Sequence, residues 1–258
     1  MSRGAGSLLV VGTGIQLGGQ ITVEALDAIR RADCVPYFVA DAHAARWIES
    51  LNPTAENLAR LYAPGKPRLE TYREAVEHIV GQVRAGHRVC AAFYGHPGVF
   101  AYPSHESVRQ ARAEGFEARM LPGVSAEDCL FADLGLDPAQ CGCQSYEVTD
   151  FLLRPRIFDP RLLLLFWQVG VIGETSIGDG APRASRVQVL VDTLLGHYPP
   201  DHEVIVYEAA VYAVCKPRIL RVPLDGLASA TIGPMATLVV PPHGELREDP
   251  SMAERLFR

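Results

Sequence analysis

No stretch of the 258-residue chain is apolar for long enough to cross a bilayer. The longest apolar run, residues 162–172, is interrupted by Gln168 and Gly170 and falls well short of the roughly 18 residues a spanning helix needs. A buried strand is expected there instead. The first apolar run is only Leu8-Leu9-Val10-Val11, shorter than the ~7 residues of a signal-peptide core, so no export signal is expected. Basic surplus is also missing: 24 Lys and Arg stand against 30 Asp and Glu, for a formal net charge of -6. That balance argues against a general binder of phosphate backbones. The expectation is a cytoplasmic protein with neither nucleic acid nor membrane as a partner.

Paired cysteines are absent too. The six, at positions 34, 90, 129, 141, 143 and 215, show no C-x-x-C spacing, and without an export signal they read as reduced thiols. Cys141-Gly142-Cys143 would supply two soft ligands, but a tetrahedral metal site needs more. The stretch therefore reads as a loop with two small residues, and no metal is expected.

What is present suits a substantial core: 48% hydrophobic and 21% charged residues, in a length that fits one large α/β domain or two smaller ones. Residues 8–11 read as a strand ending at Gly12-Thr13-Gly14, and Ile21, Ala25, Leu26 and Ile29 as a helix face, followed by a buried run over 34–39. Further along come a helix over 67–85, a strand over 88–93, a helix over 104–114 and a short strand over 118–121. Such alternation predicts a largely parallel sheet covered by helices. Beyond Pro122 the reading is a helix over 126–134, a Pro-, Gly- and Cys-rich loop and a strand over 162–169. After these come a helix over 187–195 and strands over 203–207, 218–222 and 236–240. Residues 173–183, polar and glycine-rich, read as a mobile surface loop. The expected division is an N-terminal α/β domain over 1–121 and a C-terminal one over 122–258.

Four places carry candidate chemistry, each with a plainer alternative. Gly12-Thr13-Gly14 after a strand invites a dinucleotide site with Asp33 as ribose-binding acid, but Leu17 stands where the third glycine belongs. A simple strand-to-helix turn is the alternative. Tyr94-Gly95-His96-Pro97-Gly98-Val99-Phe100 follows a parallel strand, where open α/β sheets bind ligands, with Tyr94 and Phe100 as possible walls for an adenine. The plain reading is a structural turn. Ser125 and Asp128 have capping-box spacing, which is compatible with first-turn amides serving as donors to a ligand. Arg68 lies one turn before Tyr72 on an otherwise apolar face, an arrangement that would favour the ionised phenol and hold an anion. The alternative is a core tyrosine with an arginine snorkelling past it.

Taken together, the segments resemble the tetrapyrrole methylase superfamily of class III S-adenosylmethionine methyltransferases, and more closely the borosin peptide α-N-methyltransferases, including the omphalotin type. The resemblance is carried by residues 6–15, by Gly65-Lys66-Pro67-Arg68-Leu69-Glu70-Thr71-Tyr72, by residues 93–100 with Pro103-Ser104-His105, and above all by residues 119–134. Residues 166–170 and Pro241-Pro242 extend it nearly end to end, and Gly95-His96-Pro97 stands where tetrapyrrole enzymes typically have Gly-Asp-Pro. The resemblance implies two α/β domains with S-adenosylmethionine in the cleft between them. It implies cofactor contacts from Tyr94, His96, Val99, Phe100, Ser125, Ala126, Gln168, Tyr207, Ala236 and Thr237, and catalysis by Arg68, Tyr72 and Tyr62. Tyr72 would draw off the amide proton while Tyr62 donates to the imidate oxygen.

A homodimer is implied as well. The fungal enzymes of the family continue into a core peptide that they methylate themselves, whereas this sequence stops at Arg258. The expectation is therefore a split system, with the precursor peptide supplied in trans. A tetrapyrrole or other small-molecule methyltransferase, a catalytically silent peptide-binding homologue and a nicotinamide oxidoreductase stand as alternatives.

Overall fold

The computed structural model describes residues 6–39, 41–154, 156–174, 176 and 183–258. By packing, the chain divides into two units. The first takes the described residues through Leu134, together with Ser176 and the later segment Ala209–Pro217; the second takes the remainder.

In the first unit the order is β1 (Ser7–Gly12), α1 (Val23–Arg31), β2 (Val35–Phe38), α2 (Ala42–Leu51), β3 (Ala55–Asn57), α3 (Arg68–Arg84), β4 (Arg88–Phe93), α4 (Tyr102–Ala113), β5 (Glu117–Met120) and α5 (Ala126–Leu134). The strands form one sheet in the order β3-β2-β4-β1-β5. Every pairing in it is parallel, as the alternation of strands and helices predicts. Both faces are covered. Val89, Ala91 and Phe93 of β4 pack with Ala75, Ile79 and Val83 of α3, while Cys90 and Ala92 pack on the other face with Ile29 of α1 and Ile48 of α2. A strand buried on both faces reads as an unbroken apolar run, which is why 89–93 stands out in the sequence. The apolar positions of α3 recur at intervals of three and four, and truncating the fully buried Ile79 to Ala would cost about 2–5 kcal/mol.

Helix α5 belongs to this first unit, so the division falls after Leu134 rather than at Leu121. The reason is local. Gln20 Nε2 donates to Cys129 Sγ at 3.3 Å, tying α5 to the loop that follows β1.

The second unit contains β6 (Cys143–Glu147), α6 (Val148–Leu153), β7 (Leu163–Trp167), α7 (Ala184–Leu194), β8 (Glu203–Glu208), β9 (Arg218–Pro223), β10 (Thr237–Val240) and α8 (Pro250–Leu256). Its sheet order is β6-β7-β10-β8-β9. Only β6 and β7 run parallel; β10 is antiparallel to both neighbours, and β8 to β9. All five residues of β7 are buried, so the apolar run that is too short for a membrane is a central strand. Cys143 opens β6 instead of lying in a loop. Most of the 173–183 stretch expected as a mobile loop lies outside the described residues. Among the described residues no helix is long and apolar enough to cross a membrane.

Candidate active site

Because β1, β4 and β5 run parallel, the loops that leave them emerge at one edge of the sheet, where ligands of open α/β sheets bind. There the backbones approach too closely for side chains. A Cβ added to Gly12 would lie 2.3 Å from the Gly95 carbonyl oxygen and 2.8 Å from Pro97 Cδ, and one on Gly123 would lie 3.3 Å from the same oxygen. Gly14 and Gly95, with φ of +73° and +72°, pair as an isolated antiparallel bridge. The motifs around Gly12, Gly95 and Gly123 are thus one interlocked structure.

Within the 94–100 loop the Gly98 amide donates to His96 Nδ1 at 2.9 Å. That bond fixes the tautomer: the neutral ring carries its proton on Nε2 and presents a donor there. Ser104 Oγ, fully buried at the start of α4, donates to the Pro97 and Ala101 carbonyls and pins the loop from below. Burial pushes the Tyr94 phenol up to about 12, helped by Cys129 and Asp41, so it is a neutral ring. Tyr94 also lines a narrow apolar crevice with Ile15, Trp47, Ile48 and Val211, roomy enough for about one water. Ser125 is occupied by its cap: its amide and its hydroxyl both donate to Asp128 Oδ2 at 2.7 Å, and the Asp128 amide returns a bond to Ser125 Oγ. The capping box read from the sequence is therefore formed. The first-turn amide of Ala126, among those a helix leaves without internal partners, is the better ligand donor at this end.

The three residues assigned to catalysis come together. Arg68 opens α3, Tyr72 follows one turn later, and Tyr62 comes from the turn before the helix. The Tyr62 hydroxyl hydrogen-bonds to Tyr72. Burial raises the Tyr62 pKa above its ordinary value, and the Tyr72 oxygen raises it further by charge and hydrogen bond, against the opposing charge of Arg68. Tyr62 is thus held protonated. Arg68 stands at a helix N-terminus, the positive end of the macrodipole, beside a Pro67 N-cap that makes no side-chain capping bond. A cation is poorly placed there for helix stability and well placed to meet a developing anion.

Two rings missed in the sequence complete the setting. Tyr102 stacks on Tyr72 with centroids 6.3 Å apart, and Phe38 meets Tyr62 edge-on at 5.8 Å. Phe38 also contacts Phe93, and its carbonyl accepts from the Tyr94 amide at 2.8 Å, so the phenol pair adjoins the 94–100 loop. No sequence spacing would reveal these contacts, since each crosses between elements.

In the second unit the remaining four candidates also converge. Tyr207 and Thr237, both nearly inaccessible, are cross-strand partners of β8 and β10. Leu238 of β10 pairs with Phe166 of β7; Ala236 immediately precedes β10 and Gln168 immediately follows β7. A Cβ on Gly170 would come within 1.9 Å of the Gly233 carbonyl, which shows how tightly the two turns abut. Gln168 adopts φ 61° and ψ 27° at the end of β7. Among the described residues, Phe100 and Gln168 are the two non-glycines with positive φ, and both are candidate cofactor residues. Strain of this sort persists where the surroundings over-determine it, commonly at ligand sites.

The dinucleotide alternative does not survive. Asp33 lies at the opposite end of the sheet from the glycine loops, bound to Arg88 at 2.7 Å, and this guanidinium holds its pKa at about 2. Helix α1 starts only at Val23, with Thr22 as its cap, so its N-terminus is not at Gly12-Thr13-Gly14. The phosphate-binding geometry of a Rossmann turn is not built.

An all-parallel sheet with interlocked glycine turns at one edge, and a separate, mostly antiparallel sheet, make this a mixed α/β fold of the class III, tetrapyrrole methylase-like kind. The chain belongs to the tetrapyrrole (corrin/porphyrin) methylases, whose family model matches residues 7–228. Solved structures share the fold. Uroporphyrin-III-C-methyltransferase from Thermus thermophilus superposes with a TM-score of 0.63 over 92% of each chain at 19% identity. A diphthine synthase does so at 0.61 over 92% of this chain and 90% of its own, at 17% identity. Among curated proteins, the methyltransferase/ribosomally synthesized cyclic peptide gymnopeptides precursor of Gymnopus fusipes is 41% identical over 96% of this chain and 60% of its own length. The corresponding omphalotin A precursor of Omphalotus olearius is 40% identical over 98% and 61%. The chain thus spans about 60% of the length of these relatives.

Proposed function

We propose that the chain is an S-adenosylmethionine-dependent methyltransferase that α-N-methylates backbone amides of a ribosomal precursor peptide offered as a separate polypeptide. The observation that carries this reading is the phenol pair of Tyr62 and Tyr72 beside Arg68 at the start of α3. Identity of about 40% to proteins named as methyltransferase and cyclic-peptide precursor points to a peptide as the acceptor.

The residues suit such a cofactor. Tyr94, Val99 and Phe100 offer apolar surface, His96 Nε2 and the Ala126 amide offer donors, and the close packing at glycines 12, 95 and 123 holds the loops that carry them in place. In the second unit Gln168, Tyr207, Ala236 and Thr237 are the proposed contacts, with the strained backbone at Phe100 and Gln168 as support. S-adenosylmethionine, when bound, supplies an electrophilic methyl group on its sulfonium.

An amide nitrogen is a poor nucleophile because its lone pair is shared with the carbonyl. Tyr72, acting as the phenolate that Arg68 favours, accepts the N–H proton and later releases it to water; the electron pair left on nitrogen spreads onto the carbonyl oxygen, and the nitrogen becomes reactive. Tyr62, kept protonated, turns its hydroxyl hydrogen from Tyr72 to that oxygen and donates to it there. Arg68 and the N-terminal amides of α3 stabilise the negative charge while it lasts. The enzyme is proposed to work as a cytoplasmic homodimer.

The test is to incubate the purified chain with S-adenosylmethionine and synthetic peptides carrying Val/Ile/Ala-rich tails. Mass gains in methyl steps, placed on backbone nitrogens by fragmentation, are expected. Transfer only to a tetrapyrrole would overturn the peptide assignment, and methylation confined to the chain's own residues would overturn supply in trans.

A further inference from the structure

We propose that Lys66 is a positioning residue: by clamping the Leu61–Tyr62 peptide to helix α3 it holds the Tyr62 hydroxyl on Tyr72. The proposal rests on the function given above to that pair, because it concerns how the pair is kept in register.

Lysine normally keeps its ammonium in water, yet the Lys66 side chain is only 19% exposed. Its Nζ donates to the Leu61 carbonyl at 3.0 Å and to Glu74 Oε2 at 2.5 Å. One partner lies in the turn that carries Tyr62, the other on the helix that carries Arg68 and Tyr72. The turn itself returns Lys66 to this position: the Lys66 amide donates to the Ala63 carbonyl at 3.1 Å, and Gly65 supplies the positive φ of +73°.

The clamped carbonyl belongs to the peptide whose nitrogen is that of Tyr62. It also receives Thr71 Oγ1 at 3.5 Å, from a fully buried threonine next to Tyr72. On the other side of the same peptide, the Tyr62 amide donates to Ala59 at 3.1 Å. Both polar groups of the peptide are therefore held, and with them the direction in which the Tyr62 side chain leaves the backbone. A partly exposed ion pair contributes little to stability, so what the Lys66 brace gives is geometry.

Lys66→Met keeps the aliphatic stem and removes the ammonium. It is expected to lower kcat ~10–100-fold, the scale of a displacement of about 1 Å at a reacting group, while KM and cofactor affinity stay within about twofold. Lys66→Arg is expected to restore part of the rate. In a Tyr62→Phe background, Lys66→Met should cost less than about twofold more, since a residue acting through Tyr62 has nothing left to act on. Independent losses that multiply in the double variant overturn the proposal.

A second readout needs no turnover. With [13Cζ]tyrosine label, the Tyr62 phenol should titrate above its ordinary range in the unmodified protein and closer to that range in Lys66→Met, where the Tyr72 oxygen no longer sits against it. An unchanged Tyr62 titration overturns the proposal. Should Lys66→Met fail to fold by circular dichroism, Glu74→Gln, which weakens only the helix side of the brace, is carried through both measurements. If the unmodified chain methylates no peptide, the functional reading fails, and the titration still decides the role of Lys66.

Discussion

The Tyr62 hydroxyl is hydrogen-bonded with Tyr72 across the boundary between a turn and the first full turn of α3. Two phenols in contact cannot readily both ionise, and burial keeps Tyr62 in the neutral form. The asymmetry divides the labour of the proposed reaction, with one ring accepting a proton and the other donating to oxygen.

Tyr72→Phe and Arg68→Ala are each expected to abolish methyl transfer while calorimetry still finds cofactor binding. Tyr62→Phe is expected to leave a residue of activity, lowered ~10²–10³-fold, the usual loss when one donor to a developing oxyanion is removed. Full activity in the Tyr72 variant would remove it from the mechanism.

Gly12→Ala forces a methyl group against the Gly95 carbonyl and Pro97. We expect a loss of about 1–3 kcal/mol in urea unfolding, as for other overpacked sites, together with weakened cofactor binding. A stable variant with unchanged affinity would show that the packing there can relax.

Gln168 sits in left-handed backbone that glycine adopts without strain. In Gln168→Gly the melting temperature should hold or rise, and cofactor affinity should fall because the side chain is gone. A lower melting temperature with unchanged affinity would mark Gln168 as structural only.

Asp33 has a depressed folded-state pKa of about 2, so the stability it contributes is complete above its unfolded value of ~3.9 and is lost as pH falls towards about 2. The pair with Arg88 is largely exposed, which limits the contribution to roughly 0.2–1 kcal/mol. Asp33→Asn should lower the urea midpoint by a small amount at neutral pH, with the difference from the parent vanishing in acid. Cofactor affinity should not change, as befits a residue at the far end of the sheet.

The elements most legible in the sequence were those with strong patterns. Strand β4 shows as an unbroken apolar run because both its faces are buried, and α3 shows as a stripe because only one of its faces is. The Ser125–Asp128 cap was legible because a capping box is a local motif. Other elements gave no such signal. Strand β6 is half-buried and polar along its length, and β3 is three residues long, so neither has an alternation to read. The site divides in the same way. Arg68 and Tyr72 could be placed together by helix geometry, whereas Tyr62 reaches them through a turn, and Tyr102 and Phe38 reach them only across packed elements.

The first packing unit takes in Ala209–Pro217, where the Val211 carbonyl accepts from the Leu17 amide at 2.8 Å and the Tyr212 hydroxyl bonds to Asp41. During synthesis, then, the amino-terminal sheet can collapse early, but its last piece leaves the ribosome only after most of the other sheet has been made. Cutting the gene after Leu134 would not yield a self-sufficient module; it would leave Trp47 and Ile15 facing water where Val211 belongs.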